Sequence, residues 1–457
     1  MPCPLPLVGP IRDALQKSAR FGTPVLRSAA SVAAVMVALV ATSLITGPAL
    51  ADPTATPCEL TRSQAHHSEG LDTWNAAYTR PVRPLDAVMI FLSFPDAKPV
   101  TKPAQLTADY FPATSRFFER ASYGRFTVRP HPLNRWIRMP HPSAWYAMKR
   151  DWDPGHRAAY LRDAIAVSDK YVDFSRFPVV YLVADPDAPG VDSDATKVVN
   201  LDSPLHADGT DIRRVVTVFE KHPPDRLVLA HETGHVFDLP DLYHRPVDGK
   251  GDWDTYVGDW DLMGSQFGLA PDLFAWHKWK LGWLDPRQVV CVRSADTRLT
   301  LEALESGPTG VPQVPVNATT VRAAGMTGAA GSAAQVPGAG YEAFGSGRGT
   351  KLAVVRTGPD SVLAIEARGM VGNDVEACTQ GILLYRVRGA TESGGGPIEV
   401  VDAHPRTSAC WGTSVNPGLA DAPVRVGESF TVPGDGVRVE VEDRTPTGAW
   451  TVRITRS

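Results

Sequence analysis

The sequence contains no lysine- or arginine-rich block, and its formal net charge is -4. Nucleic acid is therefore not an expected partner. Beyond residue 51 no apolar run is long enough to span a bilayer, so no membrane association is expected once a signal peptide is removed. No internal repeat is evident, and nothing indicates an oligomeric state. The 457 residues are sufficient for two or three hydrophobic cores.

The first 51 residues have the pattern of a secretory signal peptide. Four basic residues between positions 12 and 27 precede an apolar run at 29–45, and Ala49-Leu50-Ala51 follows a glycine-proline break. A basic start, an apolar middle and a small-residue end predict export with cleavage after Ala51. The alternative is an uncleaved membrane anchor, because the basic region is long and the run approaches spanning length. No cysteine follows the cleavage site, which argues against a lipoprotein.

The rest of the chain is predicted to have an α+β fold. Residues 52–82 are polar and rich in proline and threonine, which is typical of an arm or a short pro-segment. Between 83 and 284, apolar runs of strand length alternate with helical patterns at 106–121 and 156–170, which predicts a mixed sheet with helices. The predicted buried strands are 86–94, 178–183 and 215–219.

Residues 285–457 have a different character, with short β-like runs between glycine and proline turns. This pattern predicts an all-β, sandwich-like C-terminal domain. Within it, residues 306–349 are rich in glycine, alanine, valine and threonine, and we expect them to form a flexible insertion.

One short motif carries the predicted chemistry, HExxH at residues 231–235. It lies in a predicted helix that starts near Pro223-Pro224-Asp225 and ends near Leu239-Pro240, because proline disfavours helix at the residue before it. Histidines four residues apart lie on one helix face, so His231 and His235 can reach the same metal ion. Glu232 lies beside that face and can take a proton from a water at the ion. The motif predicts a zinc hydrolase, with a chance match as the alternative.

A catalytic zinc needs a third protein ligand besides the two histidines. No glutamate follows the motif until Glu302, in the β-rich region, which argues against a glutamate on a following helix. We favour Asp241, six residues after His235, because HExxHxxDxxD matches the extended metzincin pattern with aspartate in place of the usual third histidine. His244 is the main alternative. Asp238 is less suitable because it occupies the turn itself.

Met263, 28 residues beyond His235, is the candidate for a methionine turn that forms an apolar floor beneath the metal. Asp261 or Gly264 can support such a turn. Ordinary core packing of the methionine is the alternative.

An acidic cluster after the motif is a candidate calcium site, although its spacing does not fit an EF-hand. A solvated loop is the alternative. The cluster consists of Asp248, Asp252, Asp254, Asp259 and Asp261.

Four cysteines remain after the predicted signal peptide, and an even number in an exported protein predicts two disulfides with three possible pairings. We favour Cys378 with Cys410, because both lie in the C-terminal region, which leaves Cys58 with Cys291. The alternative makes Cys58 a thiolate that blocks the zinc in a latent form.

Residues 84–284 resemble the immune inhibitor A family of secreted metallopeptidases. The specific match is HETGHVFDLPDLY at 231–243, which is similar to that family's HExxHxxGLPDxY. Supporting stretches lie at 91–96, 117–124, 260–263 and 275–283. The resemblance implies a metzincin-like catalytic domain, zinc, frequent calcium and proteolysis outside the cell. One departure is Asp238, where the family has glycine; aspartate can adopt the left-handed backbone that glycine takes there, at some cost.

Together these features predict a secreted zinc endopeptidase that hydrolyses protein or peptide substrates, with Glu232 as general base and then acid. The predicted metal ligands are His231, His235 and Asp241; zinc is the expected cofactor and calcium a further candidate. One alternative is a non-catalytic secreted binding protein on a peptidase-like scaffold, against which the intact Glu232 argues. A zinc hydrolase of non-peptide substrates is the third possibility.

Overall fold

Three β-sheets and five short α-helices make up the mixed α+β fold of the residues that the computed structural model describes, 58–225, 227–246, 252–307 and 349–457. The predicted signal peptide and most of the predicted insertion at 306–349 lie outside the described residues. The helices are α1 (Pro103–Tyr110), α2 (Ala113–Ala121), α3 (Pro154–Ser168), α4 (Val228–Val236) and α5 (Ala275–Lys280). The strands are β1 (Leu85–Ser93), β2 (Val128–Arg138), β3 (Val179–Ala184), β4 (Lys197–Ala207), β5 (Thr210–Val218), β6 (Val289–Cys291), β7 (Asp296–Leu301), β8 (Leu352–Gly358), β9 (Ser361–Arg368), β10 (Gly381–Arg388), β11 (Ile398–Val401), β12 (Ser429–Val432), β13 (Val437–Arg444) and β14 (Trp450–Arg456).

The first sheet has the strand order β2-β1-β3-β5-β4. Its first four strands are parallel, and β4 lies antiparallel to β5 at the edge. Alternate residues of β1 enter two different cores, with Met89 and Phe91 in one and Val88 and Ile90 in the other. Helix α3 covers the second face, while α1, α2 and α4 pack on the first. Burial on both faces explains the nearly continuous apolar runs of β1 and β3, which the sequence correctly predicts as buried strands.

Helix α4 contains the HExxH motif and begins later than the sequence predicts. The predicted start near residues 223–225 is wrong, because Leu227 has a left-handed backbone with φ of 61°, which a right-handed helix cannot include. Every residue of α4 is buried. A helix of nine residues is too short to be stable alone, so packing against the sheet stabilises it.

The C-terminal strands form two further sheets, ordered β11-β10-β9-β8-β6 and β12-β13-β14-β7. Side chains from both, such as Ile365, Val439 and Trp450, share one core, which is the packing of a β-sandwich. The opposite face of the first of these two sheets, including Val354 and Tyr385, enters the same core as α4. Because the described residues belong to one compact unit, the boundaries at 83, 284 and 285 stay predictions.

Two disulfides are present, Cys58–Cys291 and Cys378–Cys410, with Cα–Cα distances of 5.8 and 5.9 Å. They confirm the favoured pairing. The alternative in which Cys58 is a zinc-blocking thiolate is wrong, because its sulfur is bonded to that of Cys291.

The N-terminal segment, residues 58–82, packs closely on the rest of the fold. Glu69 is fully buried, and its Oε1 lies 2.9 Å from Nε2 of His277, whose Nδ1 lies 3.2 Å from Oδ2 of Asp261. Burial alone would lower the pKa of His277, but the charges of Glu69 and Asp261 outweigh it and raise that pKa to about 9. The interpretation of residues 52–82 as an arm or a short pro-segment stays a prediction, and residues 52–57 lie outside the described part. In the described part of the chain, no helix has the length and apolarity needed to cross a membrane.

Candidate metal centre

Three predicted metal ligands meet at one point beside α4. His231 Nε2 lies 3.4 Å and His235 Nε2 lies 3.0 Å from Oδ1 of Asp241. The potential ligand atoms of all three lie within 4.8 Å of one another, and in the described residues no other group of three such side chains meets this closely. On the opposite side of α4, the hydroxyl groups of Thr233 and of Tyr181 in β3 form a hydrogen bond of 2.9 Å. This contact fixes the rotation of the helix so that both histidines face away from the sheet.

The hydrogen bonds of the two histidines determine which ring nitrogen faces this point. Nδ1 of His231 lies 2.9 Å from the carbonyl oxygen of Leu262, and Nδ1 of His235 lies 2.7 Å from that of Leu239. Because a carbonyl only accepts, each Nδ1 carries a proton, and each Nε2 is the ring nitrogen that faces the shared point and can bind a metal there. A histidine that binds a metal through one ring nitrogen usually donates the N–H of its other ring nitrogen to a carbonyl or a carboxylate, which fixes the orientation of the ring.

Asp241 supplies the strongest sign that a cation belongs here. Its Oδ1 is buried between the two imidazoles and accepts no hydrogen bond with acceptable geometry. Burial would raise the pKa of Asp241, but the positive charge of His235, with a smaller part from His231, holds that pKa well below its ordinary value. Burial alone would lower the pKa of His235, but the negative charge of Asp241 outweighs it and raises that pKa to about 9. The arrangement therefore favours positive charge between these side chains, which a divalent metal would supply.

Glu232 points into the same space but is not one of the three ligands. Its Oε2 accepts a hydrogen bond of 2.7 Å from the backbone N–H of Val198 in the edge strand β4. Burial raises the pKa of Glu232, and the neighbouring imidazoles offset part of this effect. A fixed carboxylate with a raised pKa beside a metal site is suited to proton transfer near neutral pH.

The two alternatives for the third ligand lie elsewhere. The His244 ring packs edge-on against Tyr256, with 5.4 Å between ring centroids, and is not part of the group of three. The buried carboxylate of Asp238 lies 2.9 Å from Nη1 of Arg62 and 3.0 Å from Nδ1 of His67. Its φ is 65°, so aspartate does adopt the left-handed backbone expected at this position.

Met263 lies directly beneath helix α4, against Gly234 of the HExxH motif. The N–H of Gly264 donates to the carbonyl of Asp261 at 2.9 Å, and Oδ1 of Asp261 accepts from the N–H of Met263 at 2.7 Å, which forms a tight turn. A Cβ on Gly234 would lie only 2.5 Å from Sδ of Met263. The glycine inside HExxH therefore makes room for the methionine, as expected for an apolar floor.

In the part of the chain that the structure describes, no three members of the acidic cluster place ligand atoms within 4.8 Å of one another. Asp252 accepts from the N–H of Asp254, and Asp259 accepts from the N–H groups of Leu269 and Val415. Asp261 is used by the turn described above, and Asp248 lies outside the described residues. Calcium stays an expectation.

A cleft with a volume of about 320 Å³ opens onto Glu232, His235 and Asp241. A larger cavity of about 500 Å³ lies at the start of β1 and β5, and none of the three ligands lines it. The sequence analysis missed two contributors to the cleft, His67 and the edge strand β4. No local sequence signal identifies His67. The dipeptide Asp208-Gly209 does indicate the end of β4, because it is typical of the two-residue turn that joins the strands of a hairpin. In the structure Asp208 and Gly209 both have positive φ, 48° and 69°.

Comparisons with known proteins add little to this picture. No family model and no curated protein matches the chain. The solved structure of OgpA from Akkermansia muciniphila aligns over 84% of this chain and 96% of that chain, with 12% sequence identity and a TM-score of 0.25. This similarity is too low to support an argument about fold or function. The likeness to immune inhibitor A therefore rests on the sequence motifs alone.

Proposed function

We propose that this protein is a secreted zinc-dependent endopeptidase with a metzincin-like catalytic domain, similar to immune inhibitor A. His231, His235 and Asp241 would hold the zinc. The observation that carries the proposal is the buried Oδ1 of Asp241, which accepts no hydrogen bond although it lies 3.4 and 3.0 Å from the Nε2 atoms of His231 and His235. Two nitrogens and one carboxylate oxygen are ligands that zinc takes in catalytic sites, where a fourth position stays open.

A bound zinc ion supplies Lewis acidity, which polarises a peptide carbonyl and makes water nucleophilic near neutral pH. The protein's own contribution to proton transfer is Glu232. The Val198 N–H fixes its Oε2, and we assign Oε1 to taking a proton from the attacking water and delivering it to the leaving amine. Positioning this carboxylate with a backbone group of β4 leaves it little freedom to turn away from the reaction.

The edge strand supports a peptide as the substrate. Strand β4 has no neighbour on its outer side in the described sheet, and Val198 and Val199 line the cleft. An extended peptide can pair with such an edge through backbone hydrogen bonds. The signal-peptide pattern and the two disulfides support an exported protein.

The test measures metal content and peptide cleavage on the same purified, full-length protein. We expect about one zinc per chain and cleavage of an unfolded protein substrate that a chelator abolishes. Glu232→Gln should keep its zinc and lose on the order of 10²-fold or more in cleavage rate, because only proton transfer is removed.

Two further variants form a matched pair. Asp241→Ala should lose zinc, whereas His244→Ala, three residues away, should keep it. A folded wild-type protein without transition metal, or full activity in Glu232→Gln, would overturn the proposal. A zinc-loaded protein that cleaves nothing would instead favour the non-catalytic binding protein.

A further inference from the structure

The cleft beside Glu232 is lined by an excess of positive charge. Four cationic side chains from separate segments of the fold contribute to it: Arg150, Arg157, Lys197 and Arg245. Apart from Glu232 and Asp241, the one carboxylate among the described lining residues is that of Asp194. Such an imbalance in a concave site attracts anionic groups.

The partners of these cations show which charges are free. Arg245 is paired with Asp151 at 2.7 Å. The guanidinium of Arg150 lies 4.6 Å from the centroid of the Trp253 ring, and within the described residues neither Arg150 nor Arg157 has a carboxylate within 4.0 Å. Stacking on an aromatic ring orients a guanidinium without neutralising it.

Lys197 connects this charge to the catalytic machinery. It is the first residue of β4 and precedes Val198, the residue that holds Glu232. Its ammonium donates to the backbone carbonyl of Arg150. The carboxylates of Glu232 and Asp151 act on the Lys197 charge and partly offset it, so the two arginines are the charges most available to a ligand.

We propose that this cationic part of the cleft is a subsite for an acidic side chain, so that the enzyme prefers peptides with aspartate or glutamate close to the scissile bond. This inference rests on the proposed peptidase function and names its substrate class. A carboxylate that reaches Arg150 or Arg157 in this cleft would form charge-assisted hydrogen bonds, which are stronger than neutral ones and geometrically selective. Lys197 lies at one end of the edge strand, so the cationic side chains adjoin only one end of a peptide paired with that strand. Only peptide positions on one side of the scissile bond should therefore show the preference for an acidic side chain.

The experiment uses zinc-loaded protein and a series of otherwise identical peptides that carry glutamate, glutamine or lysine at one position at a time. We expect kcat/KM for the glutamate peptide to exceed that for the glutamine peptide by about tenfold at the preferred position, and the ratio to fall as salt is added. In Arg157→Gln and in the Arg150→Gln, Arg157→Gln double variant, the ratio should fall towards one. Measuring a ratio within each variant separates specificity from any loss of folded protein.

The matched control is Arg162→Gln, which removes an exposed arginine of the same helix, α3, that does not line the cleft. Its glutamate-to-glutamine ratio should equal that of the wild type. Cleavage without a glutamate preference, or a ratio that the arginine variants do not change, would overturn this inference and leave the peptidase proposal standing. Failure to cleave any peptide would overturn the proposed function itself.

Discussion

Replacing Asp238 with glycine tests how the turn after the metal helix is stabilised. Asp238 has φ of 65°, a backbone conformation that glycine adopts without strain and that the resembled family fills with glycine. Backbone conformation alone therefore predicts that Asp238→Gly is stabilising. The surroundings predict the reverse, because the carboxylate is fully buried and contacts both Arg62 and His67.

The magnitude follows from these opposing effects. Removing one partner of a buried ion pair costs about 3–5 kcal/mol, and the lower end applies here because the Arg62 side chain is 20% exposed and can regain water. Relief of the left-handed backbone returns about 1–2 kcal/mol, and the added freedom of glycine in the unfolded chain costs about 0.5–1 kcal/mol. We expect Asp238→Gly to lower the free energy of unfolding by about 2 kcal/mol.

The assay is urea unfolding of the zinc-free, disulfide-intact protein, followed by tryptophan fluorescence. The matched control is Ala147→Gly, since Ala147 also has a left-handed backbone (φ of 48°) but no charged side chain to lose. That variant should differ from the wild type by less than about 1 kcal/mol. If Asp238→Gly is as stable as the wild type, the ion pair with Arg62 and the hydrogen bond with His67 contribute no net stability and the reasoning is wrong.

Two further predictions concern stability. The pKa of His277 is raised to about 9 in the folded protein, from an ordinary value of 6.5 in the unfolded chain. Its contribution to the free energy of unfolding is therefore complete below pH 6.5 and is lost as the pH rises through 9. The loss, on the order of 3 kcal/mol, should appear between unfolding measurements at about pH 6 and pH 10, and His277→Gln should largely remove it. Removal of the Cys58–Cys291 disulfide, which spans 233 positions, should cost about 2 kcal/mol more than removal of Cys378–Cys410, which spans 32. Serine double variants compared by urea unfolding test this, and equal losses would contradict the chain-entropy argument.

The predicted residues that the structure brings together meet through short-range geometry. His231 and His235 meet because they are one helical turn apart. Asp241 reaches them because the left-handed backbone of Asp238 turns the chain just after the helix ends at Val236. The Asp261–Gly264 turn needs only a local hydrogen bond. Each of these relations is contained in a few consecutive residues, so a sequence pattern can record it.

The parts that escaped prediction depend on long-range contacts. Val198 lies 34 positions before Glu232, and its hydrogen bond exists only because the β4–β5 hairpin places the edge strand beside the helix. His67 lies 171 positions before Asp238. No periodicity or spacing connects residues so far apart, and the segment that holds His67 reads as a polar arm.

The N-terminal segment explains why aspartate is tolerated where the resembled family has glycine. A buried carboxylate at the end of the metal helix would be unstable without partners, and Arg62 and His67 of this segment supply them. The same segment places Glu69 against His277, which also contacts the turn that carries Met263. Two sides of the metal site, the turn after α4 and the methionine floor, are thus stabilised by charges from one segment that a disulfide joins to β6. Loss of residues 58–69 would leave Asp238 and His277 buried without these partners. The segment therefore acts as part of the scaffold around the candidate metal centre.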